Sequence, residues 1–388
     1  MSSQESLLPS ESTDFPATRA AALARLEAFE KTASRYGSQR NHVVPNHTNV
    51  SRLSPAIRHR LITEQEVASY VMHRYAFSTV EKFIQEVYWR RYWKSWLSLR
   101  PQVWSQYTQS LSKLTPAESI GPVAVMNDFA DELIETGYLH NHARMWFAGY
   151  WIHTLRLPWE LGAEFFYQHL LDADPASNTL SWRWIAGLQT QGKTYLARRA
   201  NIEKYLHPEL LKPQGLQQLE QGKAVSLDYG SKPAITAPEL TQSTLDPALT
   251  TGFWMHEEDL CAERLFAQDE FQQVFVSCEP VQSQTKDLWL QQAVSDASAR
   301  CRKHFSDATI TEGCLADMTH WAKANGIQQI VTMRPEVGDI NDQLHKLQDL
   351  KIVFKDREED ILLRPLAKAG FFGFWKKVAP MVQDLKPS

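Results

Sequence analysis

Cysteine is scarce and one-sided in this 388-residue chain: Cys261, Cys278, Cys301 and Cys314 are the only four, all in the last third. Their wide, irregular spacing matches neither a zinc ribbon nor a Cys-X-X-Cys redox pair. Free thiols in a reducing compartment are therefore expected, and a metal centre is not. Charge of either sign is not in excess. With 41 Lys and Arg against 45 Asp and Glu, the formal charge is -4, so no global basic field advertises nucleic acid and any phosphate contact must be a local patch. No stretch approaches eighteen consecutive apolar residues, and the N-terminal MSSQESLLPSEST has neither the basic nor the apolar part of a secretory signal. Neither a membrane span nor export is expected, and the cytoplasm is the expected location. There is no internal repeat.

Aromatic residues are plentiful instead. Thirteen tryptophans and twelve tyrosines occur, most of them before residue 190. From about residue 15 to 212 the apolar residues recur at three and four, as in AAALARLEAF, VEKFIQEVYWRRYW, VAVMNDFADELIE and ARMWFAGYWIHTL, which predicts an all-helical domain. Residues 213–250 lose that period and are rich in Gln, Pro, Gly, Ser and Thr, as a linker or a surface-hugging excursion would be. From 251 to 388 short apolar runs at 252–255, 273–277, 327–333 and 351–354 alternate with helical segments, predicting a small Rossmann-like α/β domain with a parallel sheet. Residues 1–14 read as a flexible N-terminus. The fold class expected is multi-domain, α followed by α/β.

The chemistry concentrates in LLDADPASNTLSWRWIAG, residues 170–187. Ionised carboxylates such as Asp172 and Asp174 are rarely buried without a cation or several donors. Taken alone they read as a helix-end turn. Three further segments accompany them: YGSQR with SRLSP at 51–55, EVYWRRYW at 86–93, and TGYLHNHARM at 136–145. In this order and spacing the four resemble the flavin-binding domain of the photolyase/cryptochrome family, over about residues 15–208.

That resemblance implies a bound FAD, folded into a U and held in its reduced anionic form during repair. Tyr36, Ser51, Arg52, Leu53 and Ser54 match the diphosphate and ribityl contacts, although Tyr36 and Leu53 read equally as packing residues, and Val50 replaces the family's threonine. Arg144 and Asp172 match a salt bridge beside the isoalloxazine ring, Asp174 the acid on its polar edge, and Asn178 the amide facing N5. Asn141 borders both cofactor and substrate. Glu86, Trp89, Asn141, Met145 and Trp184 match the pocket for a flipped pyrimidine dimer, and Arg90 matches an arginine near DNA phosphates. Singly, Trp89 and Trp184 read as helical core. Trp182 and Trp159, with Trp104 as third candidate, match a chain of tryptophans that passes electrons to the flavin. His142 stands where dimer-repairing enzymes often carry arginine. GKTYLARRANIEKY at 192–205 departs from the family's pattern but offers Lys193, Arg198, Arg199 and Lys204 as a basic rim or a solvated helix start.

The resemblance thus implies light-driven repair of cyclobutane pyrimidine dimers in DNA by a blue-light-absorbing flavoprotein, acting as a carbon–carbon lyase and expected to be a monomer. The alternative is a cryptochrome-like photoreceptor with little or no repair. The family's α/β antenna domain normally comes first. Here GFWMHEEDL, LADMTHWAKANGIQQIVTM and AGFFGFWKKVAP resemble its parts in the last third, as a circular permutation would leave them. The sequence does not identify an antenna chromophore.

Overall fold

The computed structural model describes residues 15–190, 193–228, 230–236 and 244–385. The expected flexible segment 1–14 lies outside the described residues, as do the start of the GKTYL segment and parts of the 213–250 stretch. The longer helices of the first half are Arg19–Glu30 (α1), Glu64–Arg74 (α2), Phe77–Ser98 (α3), Gln102–Leu111 (α4), Ala124–Thr136 (α5), Asn141–His153 (α6), Trp159–His169 (α7) and Pro175–Ile185 (α8). Local chemistry sets their ends. Thr63 and Glu66 form a reciprocal capping box on α2. Gly137, at φ 70°, closes α5 in the left-handed conformation. Asp174 caps α8, its carboxylate accepting from Ser177 N at 2.8 Å, with Pro175 at the first helical position.

The spine of this half is α3, 22 residues long and hence about 33 Å. Its second part is buried almost all round, including Arg91 and Lys94, because α2, α8 and later elements pack on it from several sides. Buried cations need partners, and the second half of the chain supplies them.

That second half carries five parallel strands, Thr251–His256 (β1), Gln273–Ser277 (β2), Thr309–Gly313 (β3), Gln329–Met333 (β4) and Lys351–Lys355 (β5), in the order β3-β2-β1-β4-β5. Phe253 of β1 is in register with Val274 of β2 and Val331 of β4. The associated helices are Gln284–His304 (α9), Met318–Ala324 (α10), Asp339–Gln343 (α11), Glu358–Leu363 (α12) and Phe371–Gln383 (α13). Alternate residues of the strands serve different layers. Trp254, Phe275 and Ile330 meet Met318 and Trp321 of α10 on one face, while Phe253, Val274 and Val331 join α9 and the main core on the other. Strand β3 was not among the expected strands.

The C-terminal ends of β1 and β4 abut the helical half. Arg60 pairs with Asp259 at 3.1 Å and with Asp360 at 2.6 Å, and Arg91 pairs with Asp360 and Glu336, each at 2.5 Å. Helix α13, expected within the α/β domain, packs on α2 and α3 instead, its Phe371, Phe374 and Trp375 buried in the main core. The described parts of 213–250 hug the surface: Leu216 and Leu219 are buried, and Thr236 N donates to Leu99 O at 2.9 Å.

Candidate functional site

Asp172 is the hub of the cluster. It follows α7 in a short turn, is 4% exposed, and accepts from Arg144 of α6 at 2.9 Å and Arg90 of α3 at 3.5 Å. Burial by itself would raise its carboxyl, but Arg144, Arg90 and the Ser54 hydroxyl outweigh that and hold it below the usual range. The guanidinium of Arg144 also donates to Leu139 O at 2.7 Å and lies 5.4 Å from the Tyr138 ring. Segments far apart in sequence, around Ser54, Arg90, Arg144 and Asp172, therefore meet in one place.

Asp174, 1% exposed, is ion-paired with Arg90. Desolvation again opposes ionisation, and Arg90, Lys94 and Arg58 with the Ser177 amide keep the carboxyl far below its ordinary value. The expected role of Arg90 at DNA phosphates is corrected here: its guanidinium is turned inward onto Asp174 and the Asp172 carbonyl (2.9 Å). Two buried carboxylates need more positive charge than Arg144 supplies. Asn178, on the first turn of α8, is buried and donates from Nδ2 to Ala163 O at 2.8 Å. Near these groups Ser177 Oγ, Thr179 Oγ1 and His140 Nε2 are buried with no hydrogen-bond partner.

A separate groove of about 580 Å³ has Val44, Asn46, His47, Arg52, Phe129 and Glu132 among its walls. Asn46, His47 and Arg52 have φ of 55°, 50° and 54°, a left-handed conformation that L-residues hold only under constraint. Arg52 in turn acts on Tyr138, whose phenol burial pushes up to about 12. Ser51 Oγ accepts from Leu53 N at 3.4 Å. Leu53 itself is fully buried, so its side chain is a packing residue. Tyr36 is half-buried against Phe83 (ring centroids 5.2 Å), and burial with nearby Glu86 pushes its phenol up.

Glu86 faces Arg40 at 2.9 Å and Lys82 at 3.3 Å. Asn141 is exposed at the start of α6, and Met145 is half-buried one turn on. The two expected aromatic walls each meet another ring. Trp89 lies face to face on Phe371 of α13, centroids 3.9 Å apart, and Trp184 lies 6.0 Å from Tyr195. His142 is buried, its Nδ1 on Asn41 O at 2.7 Å and its ring 4.2 Å from Trp146, which makes it a packing group. In the rim, Arg199 is ion-paired with Glu203, Arg198 donates to Gly222 O, and Lys204 lies over the Tyr205 ring. Lys193 is exposed.

The three candidate tryptophans fall into two groups. Trp104 donates to Asp342 at 2.8 Å and reaches Trp159 through Tyr107, with steps of 5.4 and 5.5 Å. Trp182 packs on α7 at Gly162, three residues beyond Trp159, where an added Cβ would lie 2.3 Å from its ring; Trp151 and Phe166 complete its surroundings. Sequence reasoning missed Tyr107, Trp151 and Gly162, whose only signal is their spacing from the assigned tryptophans along α4, α6 and α7. Among the described residues no helix is long and apolar enough to cross a membrane.

Residues 124–208 match the family model described as the FAD binding domain of DNA photolyase. The chain is 30% identical over 187 residues to a deoxyribodipyrimidine photo-lyase of Thermus thermophilus (45% of this chain, 44% of the relative). It is 27% identical over 188 residues to that of Alkalihalophilus pseudofirmus (45% and 39%), and 26% identical over 212 residues to a cryptochrome DASH of Idiomarina loihiensis (50% and 46%). It thus spans less than half the length of these curated relatives. Among solved structures, a class III photolyase from Agrobacterium tumefaciens is matched over 48% of this chain and 42% of that one, at 23% identity and a TM-score of 0.41. The helical half of the chain is thus similar to the FAD-binding domain of the photolyase/cryptochrome family.

Proposed function

We propose that this protein binds FAD and repairs cyclobutane pyrimidine dimers in DNA under blue light. The observation that carries the reading is the buried convergence of Arg144, Asp172, Arg90, Asp174 and Ser54 on one cluster beside Asn178. The residues fit the cofactor. Arg52 on a strained backbone offers a guanidinium at a groove, as a dinucleotide diphosphate requires. The orphan atoms of Ser177, Thr179 and His140 are the kind of polar groups a bound ligand satisfies. When bound, reduced FAD supplies the photoexcited electron that splits the cyclobutane ring. The chain's own residues do the rest. Asp172 fixes Arg144, the Ala163 carbonyl fixes the Asn178 amide, and Trp182, Trp159, Tyr107 and Trp104 supply aromatic steps for electrons. Glu86, Asn141 and Met145 border the substrate side, where a flipped base is unpaired and stacked.

A second reading, a blue-light sensor without repair, is favoured by the stacking of Trp89 on Phe371, which leaves one face of that tryptophan unavailable, and by the similarity to a cryptochrome DASH. Four free thiols suit a reducing compartment such as the cytoplasm, and a monomer is the oligomeric state proposed. The test is to load the purified protein with FAD, photoreduce it, and illuminate it with an oligonucleotide carrying one thymine dimer. Disappearance of the dimer supports repair. Photoreduction with an intact dimer supports the sensor, and failure to take up FAD removes both. Glu86→Ala is expected to lower repair at least tenfold while leaving the flavin spectrum unchanged.

A further inference from the structure

We infer that the N-terminal end of α13 is a contact surface for single-stranded DNA beside the lesion site, a reading that rests on the proposed action on DNA. The segment 361–383, ILLRPLAKAGFFGFWKKVAPMVQ, holds four cations and no acid in a chain whose overall charge is -4. Arg364 is buried against Asp356, but Lys368, Lys376 and Lys377 are exposed, and no carboxylate among the described residues pairs with them. Between them Phe372 is 70% exposed, the most exposed large apolar side chain among the described residues.

Phe372 lies one helical turn from Lys376 on α13, and Lys368 stands four residues before it in the turn that leads into the helix. Its neighbour Phe371 (centroids 5.6 Å) stacks on Trp89, which belongs to the proposed substrate side. Phe371 is also nearly parallel to Trp375 (6.1 Å, 11°), and Trp375 to Phe77 (6.3 Å, 12°). These buried rings hold the exposed one in place. An aromatic platform flanked by unpaired cations is the arrangement that binds a single strand without sequence preference, the ring stacking on a base and the ammonium groups meeting phosphates. A second copy of this chain is the competing occupant of an exposed ring. The lysines, which would face one another across a two-fold contact, argue against it.

The experiment is fluorescence anisotropy of labelled dT10 and of the same strand carrying one thymine dimer, with the FAD-loaded full chain over a range of salt. Phe372→Ala is expected to weaken binding of both strands roughly tenfold or more, and Phe372→Trp to retain it. The double variant Lys368→Ala/Lys376→Ala is expected to flatten the slope of log K against log salt by about 1.4, for two phosphates lost. An unchanged flavin spectrum verifies folding. Unaltered affinity of Phe372→Ala, with the wild type binding normally, overturns this inference and leaves the proposed function standing. A wild type that binds neither strand removes both. A change of sedimentation coefficient in Phe372→Ala would identify the ring as a self-association contact and also overturn it.

Discussion

Replacing Asp172 with asparagine keeps the shape of the side chain and removes the charge on which the candidate site is centred. The Asp172 side chain is 3% exposed and that of Arg144 20%. Arg90 retains Asp174, so Arg144 is the cation left without a counter-ion. Removing one member of a fully buried pair costs about 3–5 kcal/mol, whereas an exposed pair is worth about 1 kcal/mol or less. With one partner partly solvated, the expected loss is about 2–3 kcal/mol in urea unfolding. Arg144→Gln should destabilise by a similar amount, and the double variant should lose clearly less than the two added together, since residues in contact couple. FAD uptake, followed by fluorescence quenching, should weaken at least tenfold in both single variants. Stability and uptake both matching the wild type would refute the hub assignment. Lost stability with unchanged uptake would leave a structural ion pair and remove it from the flavin site.

Gly162→Ala places a methyl group 2.3 Å from the Trp182 ring. Overpacking of this kind costs about 1–3 kcal/mol, and displacement of the ring should slow flavin photoreduction severalfold while FAD uptake persists; unchanged photoreduction kinetics would exclude Trp182 from the electron route. Glu359, which accepts from Tyr88 at 2.8 Å, is pushed up to about 8 by burial and by Glu64 and Asp360. A folded value above the unfolded one means that its stabilising contribution is complete below about pH 4.3 and is lost as pH rises through about 8. Glu359→Gln should therefore gain stability over the wild type between pH 5 and 9, measured by denaturation at both ends; a difference that shrinks with rising pH would contradict the assignment.

What could be read in the sequence was what depends on short range. SRLSP, the Asp172–Asp174 turn and the helical periods announce themselves locally, and the capping of α8 by Asp174 follows from Asp-Pro at a helix start. Strand β3, Thr309–Gly313, is an edge strand with no fully buried position; its TITEG lacks the apolar run by which a strand is recognised. The inward turn of Arg90 could not be read from EVYWRRYW, because the partners that draw it in lie more than eighty residues away. The same holds for Trp89. Its stacking partner Phe371 comes from the far end of the chain, and no periodicity in either segment encodes that meeting.

The α/β half has a structural reason to sit where it does. In a doubly wound sheet the ligand crevice lies at the carboxyl ends of the strands where their order reverses, here between β1 and β4. That place is lined by His256, Glu258, Asp259 and Glu336 from the sheet and by Arg60 and Lys94 from the helical half, with about 10 Å³ of space left. A crevice filled by opposite charges cannot also seat a nucleotide-sized ligand. It can transmit position. Arg58 donates to Ala173 O at 3.1 Å, between the two aspartates of the site, and lies 3.8 Å from Glu258 after β1. Lys94, buried and held below its ordinary value by desolvation and Arg58, lies between Asp174 and Glu336. The acids at the strand ends thus neutralise the cations that hold the Asp172–Asp174 turn from behind. Without the sheet, Arg58, Arg60, Arg91 and Lys94 would crowd the same side of α3 with too few counter-ions, and the turn carrying the candidate flavin contacts would lose its backing.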